Sequence, residues 1–251
     1  MSYVKRINWK LVLAVLAVVV VSLVLAFVFW ANDSLPASDV ALQAMQSDER
    51  VQVSEENGWV TFSPVNDSQP EIGFIFYPGG RVDYRAYSPV LRMIAEQGYF
   101  VALVPVPLNL AFFDINVAAR VQAQYPEIKS WVVGGHSLGG VAAAEYTKAH
   151  MQEVDGLVFF ASYPADDSLK NTDLDVFSIY GTRDMAGMGK FDETKALLPA
   201  DTQYVVIDGG NHAQFGSYGF QPGDNEATIS PEEQWTQIST ATVEFLKKLS
   251  Q

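Results

Sequence analysis

Gly135-His136-Ser137-Leu138-Gly139 is a G-x-S-x-G pattern set between an apolar run, SWVVGG, and a stretch of small residues, GVAAAEYTKAH. Strand, sharp turn and helix in that order leave a serine hydroxyl exposed at the apex of a strained turn, with glycines two positions to either side because larger side chains would collide with strand and helix. A serine hydroxyl is a poor nucleophile near neutral pH and needs a general base to take its proton. Three histidines are available, His136, His150 and His212. His136 adjoins the serine on the turn and should point elsewhere, and His150 lies at the far end of the following helix. His212, in GGNHAQFG just past the apolar run QYVVID, sits where a base is needed, so elimination selects it. Asp184, in SIYGTRDMAG beyond the run DVFSIYG, is the candidate carboxylate to fix the imidazole tautomer, and Asp208, closing the last run, is its competitor.

Such a nucleophile, attacking a carbonyl, needs two backbone N–H groups aimed at the negative charge that develops on oxygen. Leu138 supplies one by its position after the serine. The other is expected from Gly79-Gly80-Arg81 in FIFYPGGRVDY, where missing side chains allow close backbone approach, and Gly80 and Arg81 are equal candidates. Of the aromatics near these loops, Tyr84, Tyr87, Tyr163, Phe215 and Tyr218, we take Tyr87 and Phe215 as substrate contacts.

These residues need a frame. RVQVS and WVTFSPV alternate or nearly so around Glu-Glu-Asn-Gly, which predicts an opening antiparallel hairpin. Beyond it, the runs IGFIFYP, YFVALVPV, SWVVGG, GLVFFAS, DVFSIYG and QYVVID alternate with helical spacing in SPVLRMIAEQG, INVAARVQAQY and QISTATVEFLKKL. Runs apolar on both faces, separated by helices, predict a mainly parallel sheet covered on both sides, where ligands sit beyond the carboxyl ends of the strands. The candidate residues all follow such ends. No repeat or second shift of composition divides residues 49–251, which read as one domain. Residues 31–48, beginning ANDSLPAS, read as a polar spacer with a short helix starting near Ser38.

Leu11 to Trp30 is an uncharged run, LVLAVLAVVVVSLVLAFVFW, that matches a bilayer core of about 30 Å at about 1.5 Å per residue. A cleaved signal peptide has a shorter apolar region and a small-residue cleavage site, which Phe29-Trp30-Ala31 does not offer, so the run reads as an uncleaved anchor. Lys5, Arg6 and Lys10 precede it, and the positive-inside rule puts residues 1–10 in the cytoplasm and the domain on the far side. The chain carries a net charge of −13, and without those three cations the remainder stands at −16, which makes nucleic acid a poor partner. With no cysteine there is no disulfide, thiol nucleophile or thiolate-bound metal.

The chain order Ser137, Asp184, His212 is that of α/β-hydrolases. Tyr77-Pro78-Gly79-Gly80, Gly135-His136-Ser137-Leu138-Gly139, Gly181-Thr182-Arg183-Asp184 and Gly210-Asn211-His212-Ala213-Gln214-Phe215-Gly216 together resemble the bacterial serine-hydrolase group of that superfamily related to dienelactone hydrolase, over about residues 58–249. The resemblance implies the α/β-hydrolase fold and carboxylic-ester hydrolysis through an acyl-enzyme, with no metal or organic cofactor. Proline stands where many lipases begin His-Gly-Gly-Gly, and Ser137 stands where dienelactone hydrolases have cysteine. The short connection YPADDSLKNTDL leaves no room for a helical lid, so small or short-chain acyl groups, or an ester presented at the membrane surface, are the expected substrates. A peptidase or amidase using the same triad, and a non-catalytic membrane-anchored binding module, are the rival readings.

Overall fold

The computed structural model describes residues 8–65, 69–185 and 190–249. Helix α1, Trp9–Asn32, takes in the whole apolar run; the Asn8 side chain accepts the Leu11 N–H at its start, and the Asp33 N–H returns to the Phe29 carbonyl at its end. It is long and apolar enough to cross a membrane, and none of Leu11–Trp30 is buried, with Trp9 and Trp30 exposed at its two ends. Lys5 and Arg6, expected on the cytoplasmic side, lie outside the described residues.

Residues 31–48 do not stand off as a spacer. Leu35 pairs with Val82 as an isolated parallel bridge, its N–H donating to the Arg81 carbonyl at 2.8 Å and its carbonyl accepting the Asp83 N–H at 2.9 Å. Ser38 caps α2, Asp39–Ala44, by accepting the Ala41 N–H, and shares a 2.6 Å hydrogen bond with Ser217. Arg92 closes the far end of α2 by donating to the carbonyls of Ala44 and Gln46 while pairing with Asp48. The side chains of Asp33, Ser38, Ser47 and Asp48 in this stretch bond to the domain, which composition alone does not reveal.

The domain opens with the hairpin β1, Val51–Glu56, and β2, Trp59–Pro64, in register from Val51 opposite Pro64 to Glu56 opposite Trp59. Asn57 and Gly58 both hold positive φ at the turn, the two-residue geometry whose twist suits a hairpin. Then follow β3, Ile72–Tyr77; α3, Ser88–Ala95; β4, Phe100–Leu103; α4, Val117–Gln124; β5, Ser130–His136; and α5, Leu138–Ala149. The chain continues through β6, Gly156–Phe160; β7, Asp175–Gly181; α6, Lys190–Thr194; β8, Gln203–Ile207; and α7, Pro231–Lys248. Eight strands form one sheet in the order β1-β2-β4-β3-β5-β6-β7-β8; β2 is antiparallel to its neighbours and every later pairing is parallel.

Alternation along the central strands feeds two cores. Phe74, Phe76, Val132, Val158 and Phe160 pack with α3 and α7, whereas Ile75, Tyr77, Val133, Leu157 and Phe159 pack with α4 and α5. Because both faces are covered, every position of such a strand is apolar. Ser230 starts α7 by accepting the Glu233 N–H, with Pro231 in the first turn. The registers Tyr77 opposite Gly135, His136 opposite Phe160, Phe160 opposite Ile179 and Gly181 opposite Ile207 bring the carboxyl ends of β3, β5, β6, β7 and β8 to one edge.

Candidate active site

At that edge β5 passes into α5 through Ser137, a non-glycine residue at φ 51°, ψ −120°. Its N–H donates to the Phe160 carbonyl at 3.0 Å, and its own carbonyl accepts the Ser162 hydroxyl at 2.6 Å and the Gly140 N–H at 3.0 Å. The flanking glycines are required sterically: a Cβ on Gly135 would run into the Gly139 backbone, and one on Gly139 into the carbonyls of Tyr77 and Pro78.

His212 follows β8 in a loop held from below by α7. The buried Gln234 amide accepts the Asn211 N–H at 3.1 Å and donates to the Asn211 carbonyl at 2.8 Å. The Asn211 side chain donates to the Asn225 carbonyl and accepts the Gln214 N–H, so its role is to hold the histidine loop. Asp224 ties this loop to the one after β7, accepting the Ala213 N–H at 2.8 Å and the Met185 N–H at 3.2 Å. Between the two loops Asp184 Oδ2 accepts from His212 Nδ1 at 2.9 Å, with both side chains essentially excluded from solvent. That bond places the proton on Nδ1 and leaves Nε2 as acceptor. Asp208, the competing acid, is exposed and, among the described residues, accepts the Thr182 hydroxyl at 3.3 Å.

Ser137 and His212 line one cavity of about 220 Å³, together with Leu138, Val141, Ala161, Ser162 and Tyr163. Gly80 lies against Leu138, whose Cδ2 is 2.8 Å from where a Gly80 Cβ would stand. The neighbouring loop amides are already engaged: Gly79 N–H donates to the Tyr87 hydroxyl at 3.0 Å, and Arg81 N–H to the Asn109 carbonyl at 2.8 Å. The Arg81 N–H is therefore already bonded, which leaves Gly80 as the candidate donor from this loop, while Leu138 stands in the first turn of α5, where N–H groups have no partner within the helix.

Tyr87 and Phe215, expected to touch substrate, are buried under the site instead, 1% and 0% exposed. The Tyr87 hydroxyl is held between Gly79 N–H and His136 Nδ1, at 2.8 Å from the latter, and the Phe215 ring stacks on His136 at 5.6 Å between centroids. Burial raises the Tyr87 phenol so that it stays protonated, and burial pushes His136 well below the ordinary histidine range, with His212 alongside adding to the shift. Tyr84 is half-buried and Tyr218 buried, so of the aromatics near these loops Tyr163 is the one on the cavity wall. His150 pairs with Glu153 and stacks on Tyr146 at the end of α5.

Sequence reasoning missed Ser162, Asp224 and Gln234. Ser162 and Gln234 sit in an apolar run and on a helix with no motif to mark them, and Asp224 lies in an irregular loop, FQPGDNEAT. Among the described residues no three histidine, aspartate or glutamate side chains gather as a metal site needs.

The sequence model of the alpha/beta hydrolase family matches residues 73–236, more than half of the chain. No curated protein matches it. Similar solved structures include the esterase domain of a Rhodothermus marinus protein, 14% identical over 79% of this chain and 98% of that one, with a TM-score of 0.59. Dienelactone hydrolase from Anabaena variabilis is 16% identical over 79% and 98%, with a TM-score of 0.58. A thermostable esterase from Pseudomonas putida is 13% identical over 84% and 87%, with a TM-score of 0.55. At these identities the likeness is one of fold.

Proposed function

Because the chain belongs to the alpha/beta hydrolase family, we propose that it is a serine hydrolase of carboxylic esters, held at a membrane by its N-terminal helix. One observation carries the reading: the buried Asp184–His212 hydrogen bond opens onto the same cavity as Ser137 at its strained turn. His212 Nε2 takes the Ser137 proton as the hydroxyl oxygen attacks the ester carbonyl, and Asp184 stabilises the resulting imidazolium. The oxyanion accepts hydrogen bonds from the Leu138 and Gly80 N–H groups. Collapse of the tetrahedral intermediate breaks the ester bond, His212 protonates the departing alcohol, and water repeats the sequence on the acyl-enzyme.

The cavity is smaller than the roughly 300–1,000 Å³ of pockets for drug-sized ligands, and Val141, Ala161 and Ser162 give it short walls. Both features favour a short acyl group. The cations ahead of α1 favour, by the positive-inside rule, a domain on the outer side of the membrane. A fluorophosphonate probe should label the wild-type protein on Ser137, found by peptide mass, and should not label Ser137→Ala, which keeps its fold. Labelling that persists in the variant would remove the nucleophile from this scheme. Rates on matched p-nitrophenyl esters and anilides then separate esterase from amidase.

A further inference from the structure

We propose that the loop 107–113, PLNLAFF, is a second membrane contact that seats the hydrolase domain on the bilayer beside α1. The inference rests on the reading of α1 as a membrane span. Phe112 and Phe113 are 45% and 54% exposed, and the loop carries no charge. Its shape is built: Leu108 and Asn109 both hold positive φ, the Asn109 carbonyl accepts the Arg81 N–H, and the Asn109 side chain donates to the Ala31 carbonyl at 3.2 Å. Arg81 also lies over the Trp30 ring at 4.7 Å and pairs with Asp33 at 3.1 Å. The loop is thus pinned to the last turns of the helix on one side and to the Gly80 loop on the other.

Depth follows from one ring contact. Phe113 meets Phe27, with centroids 6.1 Å apart, and Phe27 precedes the end of the apolar run at Trp30 by about 4–5 Å of helix rise. If α1 spans the hydrocarbon, Phe27 lies just inside its boundary, and a ring packed on Phe27 shares that depth. The occupant is the lipid of the leaflet at the C-terminal end of α1. A domain this acidic, meeting the membrane through an uncharged loop, depends on apolar burial rather than anionic headgroups, so neutral lipid suffices and salt has little effect. Leu110 of this loop stands 3.6 Å from the place of a Gly80 Cβ, so the oxyanion side of the cleft faces the seated surface.

The absence of cysteine makes a direct test simple. Single variants Phe113→Cys, Phe112→Cys, Val20→Cys and Val206→Cys of the full chain are labelled with an environment-sensitive fluorophore and placed in phosphatidylcholine vesicles carrying a shallow nitroxide lipid, or, for the mid-helix Val20 site, a nitroxide deep on the acyl chain. Fluorophosphonate labelling of Ser137 checks that each is folded. Phe113 and Phe112 should be quenched several-fold more than Val206, on the exposed β8 edge, and equally in high salt. Quenching at Val20 without quenching at either phenylalanine overturns the seating and leaves the span intact. A blue-shifted but unquenched phenylalanine site means that protein, such as a second copy, covers the loop, and overturns it too. No quenching at Val20 removes the span, and the seating with it.

Discussion

Ser137 holds a backbone conformation that costs a non-glycine residue about 1–3 kcal/mol, and Phe160, Ser162 and the first turn of α5 maintain it. In the proposed mechanism its chemistry depends on Asp184 more than on any other carboxylate. Asp184→Asn should lower kcat by about 10³–10⁴-fold with little change in KM, whereas Asp208→Asn, altering an exposed side chain, should leave both near wild type. Steady-state kinetics on p-nitrophenyl acetate compares them. His136 bears on stability. It is buried with its pKa depressed, first by burial and then by His212. The unfolded chain takes up a proton at this residue below about pH 6.5, the folded one does not, so stability present above that pH is lost as pH falls, by up to about 1.4 kcal/mol per pH unit. His136→Asn, which can still accept from Tyr87, should flatten the slope of urea-unfolding free energy between pH 6.5 and 5.

At the level of elements, the histidine loop is held by α7, an element that contributes no reacting atom to the proposed mechanism. Gln234 on α7 satisfies both backbone groups of Asn211, next to His212, and Asp224 binds the loops of Asp184 and His212 to each other. Gln234→Leu fits a helix interior but strands two buried backbone groups, at about 1–3 kcal/mol each. The expected result is a lower melting temperature together with a fall in kcat at nearly constant KM, measured by thermal unfolding and ester kinetics. A fall in stability alone would detach α7 from the placement of His212.

Across the whole molecule, the segment after α1 is part of the catalytic domain, since Leu35 pairs with the strand-like edge formed by Arg81, Val82 and Asp83. A chain beginning at residue 31 keeps that pairing and should fold and turn over like the full protein in detergent. One beginning at residue 37 loses two backbone hydrogen bonds worth about 1 kcal/mol each. It should melt several degrees lower and lose kcat as the Gly80 loop slackens. Thermal unfolding and turnover of the two chains decide the point.

The strands, their carboxyl-end loops, the serine turn and the apolar helix were legible because each is written in contiguous residues: alternation or continuous apolarity shows burial, and G-x-S-x-G shows a turn too tight for side chains. The roles proposed for His212 and Asp184 rest on their places after strands. Preferring Gly80 to Arg81 as the candidate donor needed the fold, because the Arg81 N–H is consumed by Asn109, a residue far along the chain. Tyr87 and Phe215 were misplaced for the same reason: an aromatic near a site loop can line the cleft or lie under it, and only packing against His136 decides. Local sequence determines which groups are present and which local shapes they take. Hydrogen-bond partners distant in sequence determine which of those groups remain free to act, and only the tertiary structure could supply them.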